Sequence, residues 1–258
     1  MKLNFKIDKN YLIINTLSCT GDYGFSSKKY QKDIIAFQNY AWNKSKKYYD
    51  FLAGRTVFSP ELLAAKNLKS FTSKLHYELP NFLSTLKRSK EFKKIYLQTK
   101  KYSKFCDAQW KKNYTKTSKI IKELTGFNLN QTFNIYITHP SQKHGKNLGN
   151  NEIGWGHSEN WPNYITVYLW HEILHSYFTI SNLSHAIIEL ITDEELRKKL
   201  NKIKYPPFVG HQYLTEIKKK ILPLWKKYLK SSNKDIDKFQ KQTKSLLKSH
   251  NQSPTPTT

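Results

Sequence analysis

The sequence predicts an α+β fold, mostly helical, with a small sheet. Three observations lead there. Most of the chain carries apolar residues at helical spacing, best seen in Phe92, Ile95, Tyr96, Tyr102, Phe105, Cys106, Trp110, Tyr114, Ile121 and Leu124. Only three short runs read as strands, at 11–17, 132–138 and 152–157. A chain of 258 residues can bury a real core without disulfides, and it holds only two cysteines, Cys19 and Cys106.

The elements follow in order. Residues 11–17, Tyr-Leu-Ile-Ile-Asn-Thr-Leu, are rich in β formers and are expected as a strand. Helices are expected from about Ser27 to Leu52 and from Pro60 to about Tyr77, the second opened by Ser59-Pro60-Glu61. A longer helix should run from about Ser89 to Leu124 and stop at Gly126. Residues 132–138 alternate and should form a strand. The polar run 139–151 should be loop, and Glu152 to His157 a second short strand. Trp161-Pro162-Asn163 then signals a helix start, and the apolar residues that follow occur all round, as in a buried helix. A further helix should start at Ser184 as N-cap and reach about Leu196. Prolines 206 and 207 and Gly210 make a stiff connector, followed by a helix from about Gln212 to Leu229 kinked at Pro223. Asp235 to His250 is a basic final helix, and 253–258 should be disordered.

The buried helix after Pro162 contains His171-Glu172-Ile173-Leu174-His175. Histidines four apart share one helical face, so both imidazoles can reach one zinc ion. Glu172 stands close enough to take a proton from a water on that metal. Two histidines and a glutamate on a buried helix are costly unless something binds them, and a metal is the economical explanation. An open zinc site needs a third protein ligand. Glu189 sits among Ile187, Ile188, Leu190 and Ile191, where a carboxylate should be paired or metal-bound. Asp193 lies one turn later, at the spacing that would place it on a ligand histidine. His185, one turn before Glu189, is the rival third ligand, since three-histidine sites are chemically reasonable. Glu189 is preferred because only that choice gives Asp193 a task. His139, His144 and His157 are expected as loop or strand histidines rather than ligands.

His171-Glu172-x-x-His175 followed by Glu189-Leu190-Ile191-Thr192-Asp193 resembles the gluzincin metallopeptidases, of the thermolysin type, over residues 150–215. The metzincin pattern is absent, because position 181 is Ser181 rather than histidine. The resemblance implies a zincin-like domain, with Zn2+ held by His171, His175 and Glu189. Glu172 would be general base and Asp193 the residue that orients His171. By order along the chain it also points to His211 as the donor that stabilises the oxyanion, with Tyr205 and Tyr213 as rivals. It implies further that an edge strand pairs with an extended peptide, and Glu152 to His157, with Gly154 and Gly156, is the segment that would do so. The expected domains are a zincin-like metallopeptidase over 1–230 and a basic helix with disordered tail over 231–258.

Composition limits the alternatives. Neither cysteine has metal-ligand spacing, so a zinc finger is excluded. The N-terminus carries charges where a signal peptide needs an apolar run, and no segment approaches a membrane span, so a cytoplasmic protein is expected. The net charge of +25, from 44 Lys+Arg against 19 Asp+Glu, permits nucleic acid as a partner. The excess is mostly lysine spread along helices, with no nucleic-acid motif, so solvated faces are the simpler account. A basic nucleic-acid-associated or scaffold protein with a structural or vestigial zinc site is the alternative to a zinc hydrolase acting on a peptide or protein substrate.

Overall fold

In the computed structural model of the chain, which describes residues 1–19, 25–53, 79–205 and 210–250, the apolar run near the N-terminus is a helix. The first strand is instead β1, Lys2–Lys6, and helix α1 follows over Lys9–Leu17. Asp8 caps α1 by accepting from the Tyr11 backbone N–H at 2.8 Å. Every residue from Tyr11 to Leu17 is buried. Burial on all sides suits a core helix, and it overrides the β preference of the isoleucines. The segment expected as one helix from Ser27 is a 3-10 turn at Lys28–Tyr30, then α2 over Gln31–Lys44 and α3 over Lys46–Ala53, broken at Ser45. The helix expected from Pro60 to Tyr77 and the tail at 253–258 lie outside the described residues. Helix α4 spans Leu79–Arg88, and α5, Lys90–Thr125, ends at Gly126 as expected.

A four-stranded sheet has the order β1-β2-β4-β3, with β2 at Thr132–Ile137, β3 at His144–Gly149 and β4 at Glu152–Gly156. β1, β2 and β4 run parallel, and β3 returns antiparallel to β4. β3 falls in the stretch expected as loop. β4 lies inside the sheet, so it is not the free edge anticipated for a peptide. The spaces at its glycines are already filled. A Cβ on Gly154 would collide with the Tyr11 hydroxyl and His144, and one on Gly156 with the Thr138 side chain. No described helix is long and apolar enough to cross a membrane.

The chain divides into two compact units, Met1–Trp110 with Gln131–Trp161, and Lys111–Asn130 with Pro162–Thr258. The first unit holds the sheet, α1 to α4 and a core that includes Leu12, Ile13, Phe37, Leu83, Phe92 and Ile95. Both cysteines are buried there and form no disulfide among the described residues, and burial pushes the Cys19 thiol up to about 12.

The second unit holds the histidine-bearing helix α6, Tyr164–Leu174. Its poor intrinsic propensity is offset by packing against the end of α5. Trp170 donates its Nε1–H to Thr117 at 2.9 Å and stacks on Tyr114, and Asn113 donates to Thr166 at 3.0 Å. α7, Asn182–Glu189, starts with Ser181 as N-cap rather than Ser184, and the Ser181 hydroxyl accepts from the Ser184 N–H at 3.1 Å. A π-helical segment, Leu190–Leu196, continues it into α8, Arg197–Asn201. α9, Thr215–Lys230, contains Pro223, and α10 spans Ile236–His250. α10 packs within this unit rather than forming an appendage. Phe239 meets the Trp225 and Tyr228 rings, and Gln240 donates to Ser184 at 2.7 Å.

Candidate metal centre

α6 delivers His171 from its last turn, and His175 is the residue that closes the helix. α7 delivers His185 from the facing element. The three Nε2 atoms converge. His171 is 3.1 Å from His185 and 3.3 Å from His175, nitrogen to nitrogen. Tetrahedral zinc with Zn–N bonds of about 2.0–2.1 Å sets ligand atoms about 3.3–3.4 Å apart, so the cluster has the dimensions of such a site. His171, His175 and His185 form one group able to hold a metal ion, and His185, Glu189 and His211 form another.

The electrostatics suit imidazoles acting as donors. Burial disfavours the charged form of His175, and the neighbouring histidines add to it, holding it at about 3. Burial and the same neighbours hold His185 at about 4. Both are therefore neutral near pH 7, as metal ligation requires. Burial also pulls His171 down, but Asp193, Glu172 and Glu189 outweigh it and its affinity for a proton is raised. The Nδ1 atoms of His171 and His185 lie near oxygens. Asp193 Oδ2 lies 3.7 Å and Thr192 Oγ1 3.5 Å from His171 Nδ1, and the Tyr213 hydroxyl lies 3.3 Å from His185 Nδ1. Asp193 thus lies close to His171. The π-helical turn carries it there, a local feature often found at functional positions. Glu172 is buried beside His171.

Glu189 is placed otherwise than expected. The residue that closes the group with His171 and His175 is His185. Glu189 Oε1 accepts the His211 backbone N–H at 2.9 Å and lies 2.6 Å from its Nδ1, and Oε2 accepts from Lys218 Nζ at 2.6 Å. Oε1 is 3.9 Å from His185 Nε2. The buried Glu189 carboxylate is paired, and its partner is the Lys218 ammonium. That residue is 0% exposed. Burial alone would raise the Glu189 pKa, but the hydrogen bonds from His211 and Lys218 prevail and hold it at about 2.

Lys218 escaped the sequence reading, although a signal was present. It shares the spacing of Ile221, Trp225 and Tyr228, the buried stripe of α9, where a lysine is out of pattern. Tyr205 is engaged elsewhere in the same unit, accepting from Asn201 at 2.9 Å with the Arg197 guanidinium 3.6 Å above its ring. The other histidines stand in no donor group among the described residues. His139 Nε2 lies 2.9 Å from Gln98 Oε1, His144 Nε2 2.6 Å from the Tyr11 hydroxyl, and His157 Nδ1 2.7 Å from the Ser158 carbonyl. Compared with protein-family models, with curated proteins and with solved structures, the chain matches none.

Proposed function

We propose that the protein is a zinc-dependent hydrolase, a metallopeptidase of gluzincin resemblance with an altered ligand set. The observation that carries this reading is the convergence of three Nε2 atoms, from His171, His175 and His185, beside the buried Glu172. Three protein donors leave a fourth position for water, the pattern of catalytic rather than closed structural sites. His171 is buried while His175 and His185 are half-buried, so the cluster is partly exposed. Zinc held there would lower the pKa of a coordinated water and polarise the scissile carbonyl. Glu172 takes the proton of the attacking water and passes it to the leaving amine. Asp193 and Thr192 hold the His171 ring so that Nε2 faces its two partners.

Two measurements test this. The purified chain should bind about one zinc, and His171→Ala, His175→Ala and His185→Ala should each lose it. A peptide-library digest should show cleavage that a chelator abolishes and zinc restores. Zinc retained in His185→Ala would return the third position to Glu189. Absence of zinc-dependent cleavage of any peptide would end the peptidase assignment.

Asp193→Asn gives a separate check on the support for His171. It should lower zinc affinity or activity by roughly 10–100-fold, the usual range for an outer partner of a ligand histidine, without unfolding the chain. Wild-type zinc affinity and turnover in this variant would remove the role given to Asp193.

A further inference from the structure

Lys218, Glu189 and His211 form a chain of contacts that metal binding at the three histidines does not require. The Lys218 ammonium is fully enclosed and lies on one carboxylate oxygen of Glu189, while the other oxygen takes both the backbone N–H and the Nδ1 of His211. Two hydrogen bonds to one residue fix its backbone and its ring together. Gly210 makes this approach possible. Its φ is +114°, and a Cβ there would stand 2.6–2.7 Å from the Glu189 carboxylate atoms. The His211 ring is set 4.6 Å from the His185 ring and 6.5 Å from the His171 ring, centroid to centroid. A carboxylate can only accept, so the ring nitrogen facing it carries the hydrogen. In neutral His211 the other nitrogen, Nε2, is then an acceptor.

We infer that Glu189 and Lys218 are positioning residues, a buried charge pair that locks His211 in its Nδ1–H tautomer and presents Nε2 beside the three-histidine centre as an acceptor for an N–H or O–H of the bound substrate. This changes two expectations. Glu189 acts through His211 rather than as a ligand, and neutral His211 accepts at Nε2 instead of donating to a carbonyl. Lys218 is integral to the device. Without a cation, a carboxylate in this setting would compete for the metal, whereas with Lys218 it is already neutralised. The use of His211 in catalysis rests on the hydrolase reading, but its tautomer does not.

The test uses the full chain in two states, metal-free and loaded with zinc. Two-bond proton–nitrogen spectra of the histidines, with His211→Ala to assign the signal, report which nitrogen carries the hydrogen. Wild type should show His211 as Nδ1–H in both states. Glu189→Gln/Lys218→Met, which removes both charges together, should shift the tautomer toward Nε2–H. Gly210→Ala, which alters no charge and displaces the carboxylate, should do the same and keeps the test decisive if the double variant does not fold. Both variants should keep wild-type zinc content, and on a peptide found to be cleaved kcat should fall roughly 10–100-fold with KM little changed. Loss of zinc in the double variant, as severe as in His185→Ala, would make Glu189 a ligand and overturn the inference while leaving the hydrolase reading intact. An Nδ1–H tautomer that persists in both variants would overturn it equally. Wild-type protein that binds no zinc, with the tautomer as stated, would refute the hydrolase reading and not the positioning of His211.

Discussion

Glu172→Gln should leave zinc bound and reduce hydrolysis by roughly 10²–10⁴-fold, the usual contribution of a positioned general base. The change keeps the side-chain shape and removes the basic oxygen. Zinc content should not move, because Glu172 lies outside the groups whose atoms converge. The comparison is made on one purified preparation of each form, with zinc measured before the assay. A structural zinc site has no use for Glu172, so equal cleavage by the two proteins would assign any hydrolysis to a contaminant or to another group. Loss of zinc together with activity would show instead that Glu172 supports the metal directly.

That glutamate and the two histidines of α6 were legible because their geometry is local. Residues i and i+4 on one helix share a face whatever else the chain does. The residue that closes the group with them, His185, was not legible by the same means. His185 and Glu189 are themselves i and i+4, so both present to the same region and spacing cannot choose between them. The choice depends on Lys218, 29 residues further along the chain, and on Gly210, which brings His211 to the carboxylate. Long-range pairing of this kind leaves only an indirect trace, a lysine on an otherwise apolar stripe.

The fold divides in the same way. The long helix α5 with its stop at Gly126, the strand β2 and the helix start just after Trp161-Pro162-Asn163 follow from periodicity and punctuation. α1 was misread because isoleucine and threonine favour strands, although Asp8 stands before the run as a helix cap. β3, His-Gly-Lys-Asn-Leu-Gly, contains almost no β formers and is held by backbone pairing with β4. Its conformation depends on its neighbour rather than on its own side chains.

Lys218→Met should be the most destabilising single change in the centre. It removes the ammonium and leaves the Glu189 carboxylate, 1% exposed, with the His211 hydrogen bonds but without its buried cation. Breaking a buried pair on one side typically costs about 3–5 kcal/mol, because the remaining charge loses its compensation. Glu189→Gln/Lys218→Met should cost less than Lys218→Met alone, since it leaves no ion behind. Acid should act on the pair in a defined window. Glu189 is held at about 2 against a usual value of 4.5. Its folded pKa is depressed, so its contribution is complete above about 4.5 and is lost as pH falls toward 2. The shift corresponds to roughly 3 kcal/mol. Denaturant unfolding of the metal-free chain at pH 7, 4.5 and 3 measures this directly. Wild type should lose stability between the last two values more steeply than the double variant, in which the titrating group is absent. Parallel pH profiles for the two, or a Lys218→Met protein as stable as wild type at pH 7, would show that the ammonium is not what holds the carboxylate in place.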